Sequence, residues 1–201
     1  MGDAKQIIVK PISAKDGNRL IRSLHYSGKV VPNSQLHLGV FMADRCGGCM
    51  SFGPSMRKDL IQPLIRETGW NEFLELNRLA FADWLPRNGE SRAIAYAMRF
   101  IKKTYPWMKW VISFADGTQC GDGTIYRASG FVLTGIKENT QLRIDPSTGK
   151  PLQSMAAFHK CKSAEFHTWD KLPGFQLRYI YFLDPTAKDR LTVPILPFSE
   201  I

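Results

Sequence analysis

The stretch Phe73–Lys103, FLELNRLAFADWLPRNGESRAIAYAMRFIKK, decides how the rest of the chain is read. Phe73 to Phe81 (FLELNRLAF) alternates apolar and polar side chains in part and predicts a strand reaching into a core. Pro86 to Glu90 is a turn. Ser91 to Tyr105 then places Ile94, Ala97, Met98 and Ile101 on one helical face, and Pro106 closes it. A strand feeding a helix through a short polar turn exposes unpaired N–H groups and a partial positive charge at the helix start. Arg87 and Arg92 flank that start, and Gly89 would let backbone approach a ligand. The turn is therefore a candidate pyrophosphate cradle. It lacks the GKS or GKT of a nucleotide-hydrolysing loop. The bland alternative is a capped turn whose arginines face water.

Outward from this unit, elements follow in a mixed order. Ile7 to Pro11 reads as a strand, and Ala14 to Leu24 as a helix with Ser13 as its N-cap. His25 to Ser34 reads as a loop. Leu36 to Met42 and Cys49 to Phe52 read as strands joined by a Gly47-Gly48 hairpin turn. Asp59 to Thr68 is expected to be a short helix, broken by Pro63 near its start. Trp110 to Ala115 (WVISFA) is an apolar strand, Asp122 to Ser129 a short helix capped by Gly130, and Phe131 to Gly135 another strand. Thr140 to Pro151 is a polar excursion, Leu177 to Leu183 a last strand, and the final dozen residues a packed tail. No internal repeat is visible. The expectation is one domain over residues 1–201, of α/β (α+β) class, with a mixed central β-sheet flanked by helices.

Composition narrows the function. With 44% apolar and 22% charged residues, the 201-residue chain is globular rather than disordered. No apolar run is long enough to span a bilayer, and Met1 to Ser13 lacks a signal-peptide layout, so the expected compartment is the cytoplasm, with no membrane partner. Lys and Arg outnumber Asp and Glu by 27 to 18, a net charge of +9 that favours a polyanionic partner. Cys46, Cys49, Cys120 and Cys161 are expected to be thiols. Cys46 and Cys49 form a CxxC that is half a zinc site at most, needing His159, Cys161 or His167 to complete it.

A second passage, Ile112 to Gly135, carries further chemistry. Asp116 follows an apolar strand, where open sheets present ligand-facing residues. Tyr126 lies on the next helix, four residues before Gly130-Phe131, and a phenol there is a candidate proton donor to a leaving thiolate. The bland alternative makes Tyr126 an ordinary half-buried aromatic and Asp116 a cap.

Tyr126-x-x-x-Gly130-Phe131, after the phosphate-type turn, resembles the acetyl-CoA site of the GNAT acetyltransferase superfamily. Asn88-Gly89-Glu90-Ser91-Arg92-Ala93 overlays the superfamily's phosphate loop, with Ser91 replacing its first glycine and Asn88 its Gln or Arg. A narrower resemblance is to the phage Mom DNA-modification family. It is carried by His25-Tyr26-Ser27, Glu75-Leu76-Asn77-Arg78-Leu79, Asn88 to Arg92, and Ser113 to Gly130, in matching order and spacing. Mom proteins are regarded as divergent GNAT folds. This resemblance implies conversion of DNA adenine to N6-(methylcarbamoyl)adenine, which protects phage DNA from restriction. It implies acetyl-CoA as donor and double-stranded DNA as partner.

By position, the resemblance assigns catalytic roles to His25, Tyr26, Arg78, Asp116 and Tyr126. Arg87, Asn88, Gly89, Ser91, Arg92 and Ser113 would hold the cofactor. Because the product bonds the donor's methyl carbon to nitrogen, the resemblance also suggests a redox metal. Iron is the candidate, with His25, Tyr26 and Asp116 as its ligands, although they do not spell a two-histidine, one-carboxylate set. Exposed tryptophans among Trp70, Trp84, Trp107, Trp110 and Trp169 would stack on a flipped base, and Lys102, Lys103, Lys109, Lys160, Lys162 and Lys171 would meet phosphates. The sequence leaves a homodimer open. Two other readings remain. A conventional GNAT enzyme would acetylate a protein or small-molecule amine. A non-catalytic, zinc-containing nucleic-acid-binding module would account for the charge and the CxxC.

Overall fold

The computed structural model describes residues 3–118, 121–140, 142–157 and 160–201. In chain order its elements are β1 (Ile8–Pro11), α1 (Ala14–Leu24), β2 (Leu36–Met42), β3 (Arg45–Gly53), α2 (Lys58–Ile61), β4 (Phe73–Phe81), α3 (Gly89–Thr104), β5 (Trp110–Asp116), α4 (Thr124–Ala128), β6 (Val132–Glu138), β7 (Leu142–Ile144), β8 (Pro151–Gln153), α5 (Ser154–Ala157), α6 (Ser163–Phe166) and β9 (Phe175–Phe182). Seven strands form one sheet in the order β1-β2-β3-β4-β5-β9-β6, and β7 and β8 form a separate small hairpin. Every described pair is antiparallel except β4 with β5.

That parallel pair follows from the strand–turn–helix unit. Antiparallel strands need only a hairpin, whereas parallel ones need a crossover. Here α3 supplies it. Its buried stripe of Ala93, Ile94, Ala97, Met98 and Ile101 covers one face of the sheet, against Leu74, Leu76, Val111, Leu133 and Leu177. Burying such side chains contributes ~1.5–3 kcal/mol for each large one. On the opposite face Ile21 of α1 meets Cys49 and Ala80. Beside it a second cluster joins Ile61, Leu64 and Ile65 to Phe73, Trp110, Ile112 and Ile180. Phe73 and Trp110 are register partners across the parallel pair and stack at 4.5 Å. The indole Nε1 donates to Thr68 Oγ1 at 3.2 Å, so this tryptophan is core and unavailable to a base.

Several expectations need correction. Gly47 and Gly48 lie within β3, and the hairpin turns at Ala43 and Asp44, with Ala43 in the left-handed region at φ 50°. The glycines are demanded by cover, not by a turn. A Cβ on Gly47 would sit 2.4 Å from the Trp84 ring, and Gly48 pairs with both Val40 and Phe81. The helix expected over Asp59 to Thr68 shrinks to α2 and a 3-10 turn at Gln62–Leu64, because Pro63 cannot donate to a continuing helix. The polar excursion holds β7 and the Asp145 turn, and at Pro151 it enters β8, which pairs back with β7. The tail does pack, with Leu196 bonding to Leu133 on β6.

Candidate active site

The parallel pair is short. Phe73, Leu74 and Glu75 align with Trp110, Val111 and Ile112, and beyond them no β4–β5 pair is found among the described residues. The strands diverge at their carboxyl ends, where an open sheet presents ligands with a crevice. A bulge assists the divergence. Ser51 pairs with Arg78 and Phe52 with Leu76, which leaves Asn77 as an extra residue on β4. Bulges re-aim side chains, and this one turns Asn77 and Arg78 toward the loop after α1. Asn77 Oδ1 accepts from Ser34 Oγ at 3.0 Å. Arg78 Nε donates to the Lys29 carbonyl at 2.8 Å, tying that loop to the sheet.

Into this gap opens a cleft of about 300 Å3. It brings together His25, Tyr26, Arg78, Asp116 and Tyr126, all the residues assigned catalytic roles from the sequence. Asp116 ends β5, and its Oδ1 accepts from the Thr118 amide at 3.0 Å. Tyr126 is buried, stacked on Tyr179 with centroids 5.0 Å apart and edge-on to Phe131. Ser113 Oγ donates to the Tyr126 hydroxyl at 2.9 Å. Burial, the Asp122 carboxylate and Tyr126 push the neighbouring Tyr179 phenol up to about 12, so it stays protonated and holds the Asp122 carbonyl.

His25 follows the last turn of α1 and stacks on Tyr26 at 4.3 Å. Its Nδ1 accepts from the Ser27 backbone N–H at 3.1 Å. A backbone amide can only donate, so Nδ1 carries no proton and the neutral ring holds its proton on Nε2. Burial, reinforced by the Arg78 guanidinium, lowers the imidazole pKa from 6.5 to about 4. At neutral pH His25 is thus an uncharged N–H donor, not a proton acceptor.

The start of α3 is the second part of the site. Asn88 adopts the left-handed conformation at φ 65°, which Asn tolerates better than most residues. It caps no amide with its side chain, and the Glu90 and Ser91 amides meet no acceptor among the described residues. These are the unpaired donors of a long helix start and suit a phosphate group. Ser129, which follows α4, touches the Ser91 carbonyl at 3.4 Å, so the helix start lies beside the cleft wall. Arg87 is exposed at this turn. Gly89 is different from expectation: it is buried, and a Cβ would lie 3.0 Å from Ile7 Cδ1, so its smallness serves packing. Arg92 is turned to the Lys5 carbonyl and to Tyr96.

The donors around the cleft do not fit an iron site. They offer one imidazole, with Nδ1 already accepting from Ser27, and two carboxylates, Asp116 with an oxygen held by the Thr118 amide and Asp122 with one held by the Thr124 amide. Among the described residues no three His, Cys, Asp or Glu side chains converge anywhere. Cys46 and Cys49 lack further ligands there, and burial raises the Cys49 thiol to about 11. Cys120 and His159 lie outside the described residues. Of the expected phosphate contacts, Lys109 is paired with Glu72 and Lys160 with Asp145. Lys102 and Lys103 sit at the far end of α3 from the cleft. Trp70 and Trp107 line a separate groove beside the amino-terminal end of β4. Phe114, on the cleft wall, was missed, because in WVISFA it reads as one more core position.

A family model for the Mom protein family matches residues 6–200. The chain belongs to the Mom family. This Mom-family chain is 34% identical to the methylcarbamoylase of Escherichia phage Mu over 198 residues, spanning 96% of the chain and 82% of the relative. Among solved structures it is similar to a spermidine/spermine N-acetyltransferase from Vibrio cholerae, with a TM-score of 0.54, 10% identity, and 93% and 98% of the two chains covered. A GNAT family acetyltransferase from Elizabethkingia anophelis, solved with acetyl-CoA bound, superposes with a TM-score of 0.52 at 12% identity over 88% and 98%. The fold of this Mom-family chain is therefore that of the GNAT acetyltransferases. No helix among the described residues is long and apolar enough to cross a membrane.

Proposed function

We propose that the chain modifies adenine in double-stranded DNA, placing a methylcarbamoyl group on N6, and so shields phage DNA from restriction. In this reaction acetyl-CoA supplies the two carbons, and an ammonia-level nitrogen donor displaces the CoA thiol to form the terminal amide. An external two-electron oxidant takes the electrons released as the methyl C–H and the N6–H give way to the new C–N bond. One observation carries this reading: one-third identity to a methylcarbamoylase along nearly the whole chain. The net charge of +9 supports a polyanionic substrate, which an enzyme acting on small amines would not need.

The cleft supports a division of labour. When bound, acetyl-CoA supplies an activated two-carbon unit. The Glu90 and Ser91 amides, with Arg87 beside them, receive its pyrophosphate at the start of α3. Asn88 sets the turn. Tyr126 lines the cleft and would donate a hydrogen bond to an oxygen or sulfur of the thioester, while the buried Ser113 holds its hydroxyl from behind. His25 donates through Nε2–H, and Asp116 is the carboxylate on the wall that accepts the proton leaving N6. Arg78 holds the loop that carries His25 and Tyr26. The adenine amine is conjugated with its ring, so reagents reach it best once the base is flipped out of the stack, at a cost of a few kcal/mol.

The test is mass spectrometry of nucleosides from plasmid DNA in cells making the full chain, beside an Asp116→Ala control. Deoxyadenosine carrying one extra methylcarbamoyl group, absent from the control, is the expected result. An acetylated deoxyadenosine would replace the proposal with ordinary acyl transfer to DNA. Unmodified DNA from folded, well-expressed protein overturns it in favour of an amine substrate.

A further inference from the structure

The gap between β4 and β5 opens on both sides of the sheet. Opposite the cleft already described lies a second one of about 360 Å3, lined by Ser55, Met56, Arg57, Glu75 and Gln176. The two share a wall made of Tyr26, Arg78, Phe114, Ala115 and Asp116. Along β5, Trp110, Ile112 and Phe114 alternate onto this second side. The first two are buried, but Phe114 is 42% exposed: β9 pairs with it through Arg178, while on its other side β4 has turned away and no described residue pairs with it. Tyr26 is 53% exposed across the same opening and Met56 is 73% exposed at its rim.

Large apolar side chains on a monomer surface mark a binding site when they cluster beside polar groups. Beside the Arg78 and Asp116 of the shared wall, the polar groups here are the Ser55 hydroxyl, the Arg57 guanidinium, the Glu75 carboxylate and the Gln176 amide. An aromatic ring fixed on a strand suits the π-face of a planar heterocycle. An amide matches the paired donor and acceptor on the edge of adenine, which it can meet with two hydrogen bonds.

We infer that this second cleft is the nucleobase pocket. The flipped adenine stacks on Phe114 with Tyr26 over its other face, Gln176 reads its edge, and N6 points through the shared wall toward Asp116. The inference rests on the proposed DNA substrate. It divides the reactants between the two openings, the donor beside α3 and the base on the other side.

The test compares binding of the purified full chain to short duplexes in which one adenine is paired or faces an abasic site. An unpaired adenine is already easy to flip and should bind more tightly to the wild type. Phe114→Ala should reduce that advantage by roughly tenfold to a hundredfold, as expected for a lost base–aromatic stack. Phe114→Tyr should keep it, and Phe114→Leu, which retains apolar bulk, should behave like alanine. Trp107→Ala, an exposed aromatic in the other groove, should change nothing. If alanine unfolds the chain, the Leu and Tyr variants carry the comparison. Equal advantages in the wild type and the Leu variant, or no advantage in the wild type, overturn the inference. Cellular plasmid DNA is digested in parallel. Unmodified adenine from the wild type with a Phe114-dependent preference intact would defeat the proposed reaction and leave the base pocket standing.

Discussion

Acidification should destabilise the protein through His25, by an amount the structure allows to be worked out. The imidazole has a pKa of about 4 in the folded chain against 6.5 in the unfolded one. Between those values the unfolded chain binds a proton that the folded chain refuses. Stability is therefore fully present above pH 6.5, falls as pH is lowered toward 4, and levels off below it. At about 1.4 kcal/mol per pH unit the gap amounts to ~3 kcal/mol. Partial access of water to the ring screens this to about 1–2 kcal/mol. The perturbation is His25→Gln, which removes the titration and keeps an acceptor for Ser27. Urea denaturation at about pH 7 and about pH 4.5 would measure it, with the wild type losing ~1–2 kcal/mol more than the variant. His37, whose pKa burial also lowers, is present in both proteins and cancels in the difference. An NMR titration gives the independent check, since Arg78→Gln should move the His25 midpoint upward. Equal acid losses in the two proteins, or a His25 midpoint near 6.5, would refute the burial and charge argument.

Two further outcomes follow from the same cleft. Ser113→Ala and Tyr126→Phe should each slow DNA modification roughly tenfold to a hundredfold, and the double variant should lose no more than the worse single, because the hydroxyls act as one hydrogen-bonded pair. Additive losses in timed nucleoside digests would show that they act separately. Gly123→Ala should cost about 2–3 kcal/mol in chemical denaturation, since the position combines strain with overpacking. Its φ is +71° and the new Cβ would lie 2.7 Å from the Tyr179 ring. A loss below about 0.5 kcal/mol would mean that the ring moves aside freely.

Much of this architecture was legible one element at a time. β4 spans Phe73–Phe81 as its alternation predicts, and β2 spans Leu36–Met42. The buried stripe of α3 is the one its periodicity predicts. These succeed because alternation and helical spacing are local consequences of one buried face. Family likeness, read from four short passages, also put His25, Tyr26, Arg78, Asp116 and Tyr126 on one list, and the fold gathers them into one cleft.

What the sequence could not decide is set by partners distant along the chain. Gly47-Gly48 has the composition of a turn, yet Trp84 and a neighbouring strand on each side make it strand interior. Gly89 resembles a ligand-facing glycine, yet Ile7 fills the space a side chain would need. Phe114 has the same local signature as Trp110, and only the loss of β4 pairing leaves it open. His25 acquires its low pKa from a loop pinned to Arg78 across the sheet. The sequence alone determined which segments become strands and helices and which residues carry chemistry, because those depend on near neighbours. Where the sheet parts, and which side chains therefore face a substrate, depended on register between remote strands, and only the tertiary structure decided it.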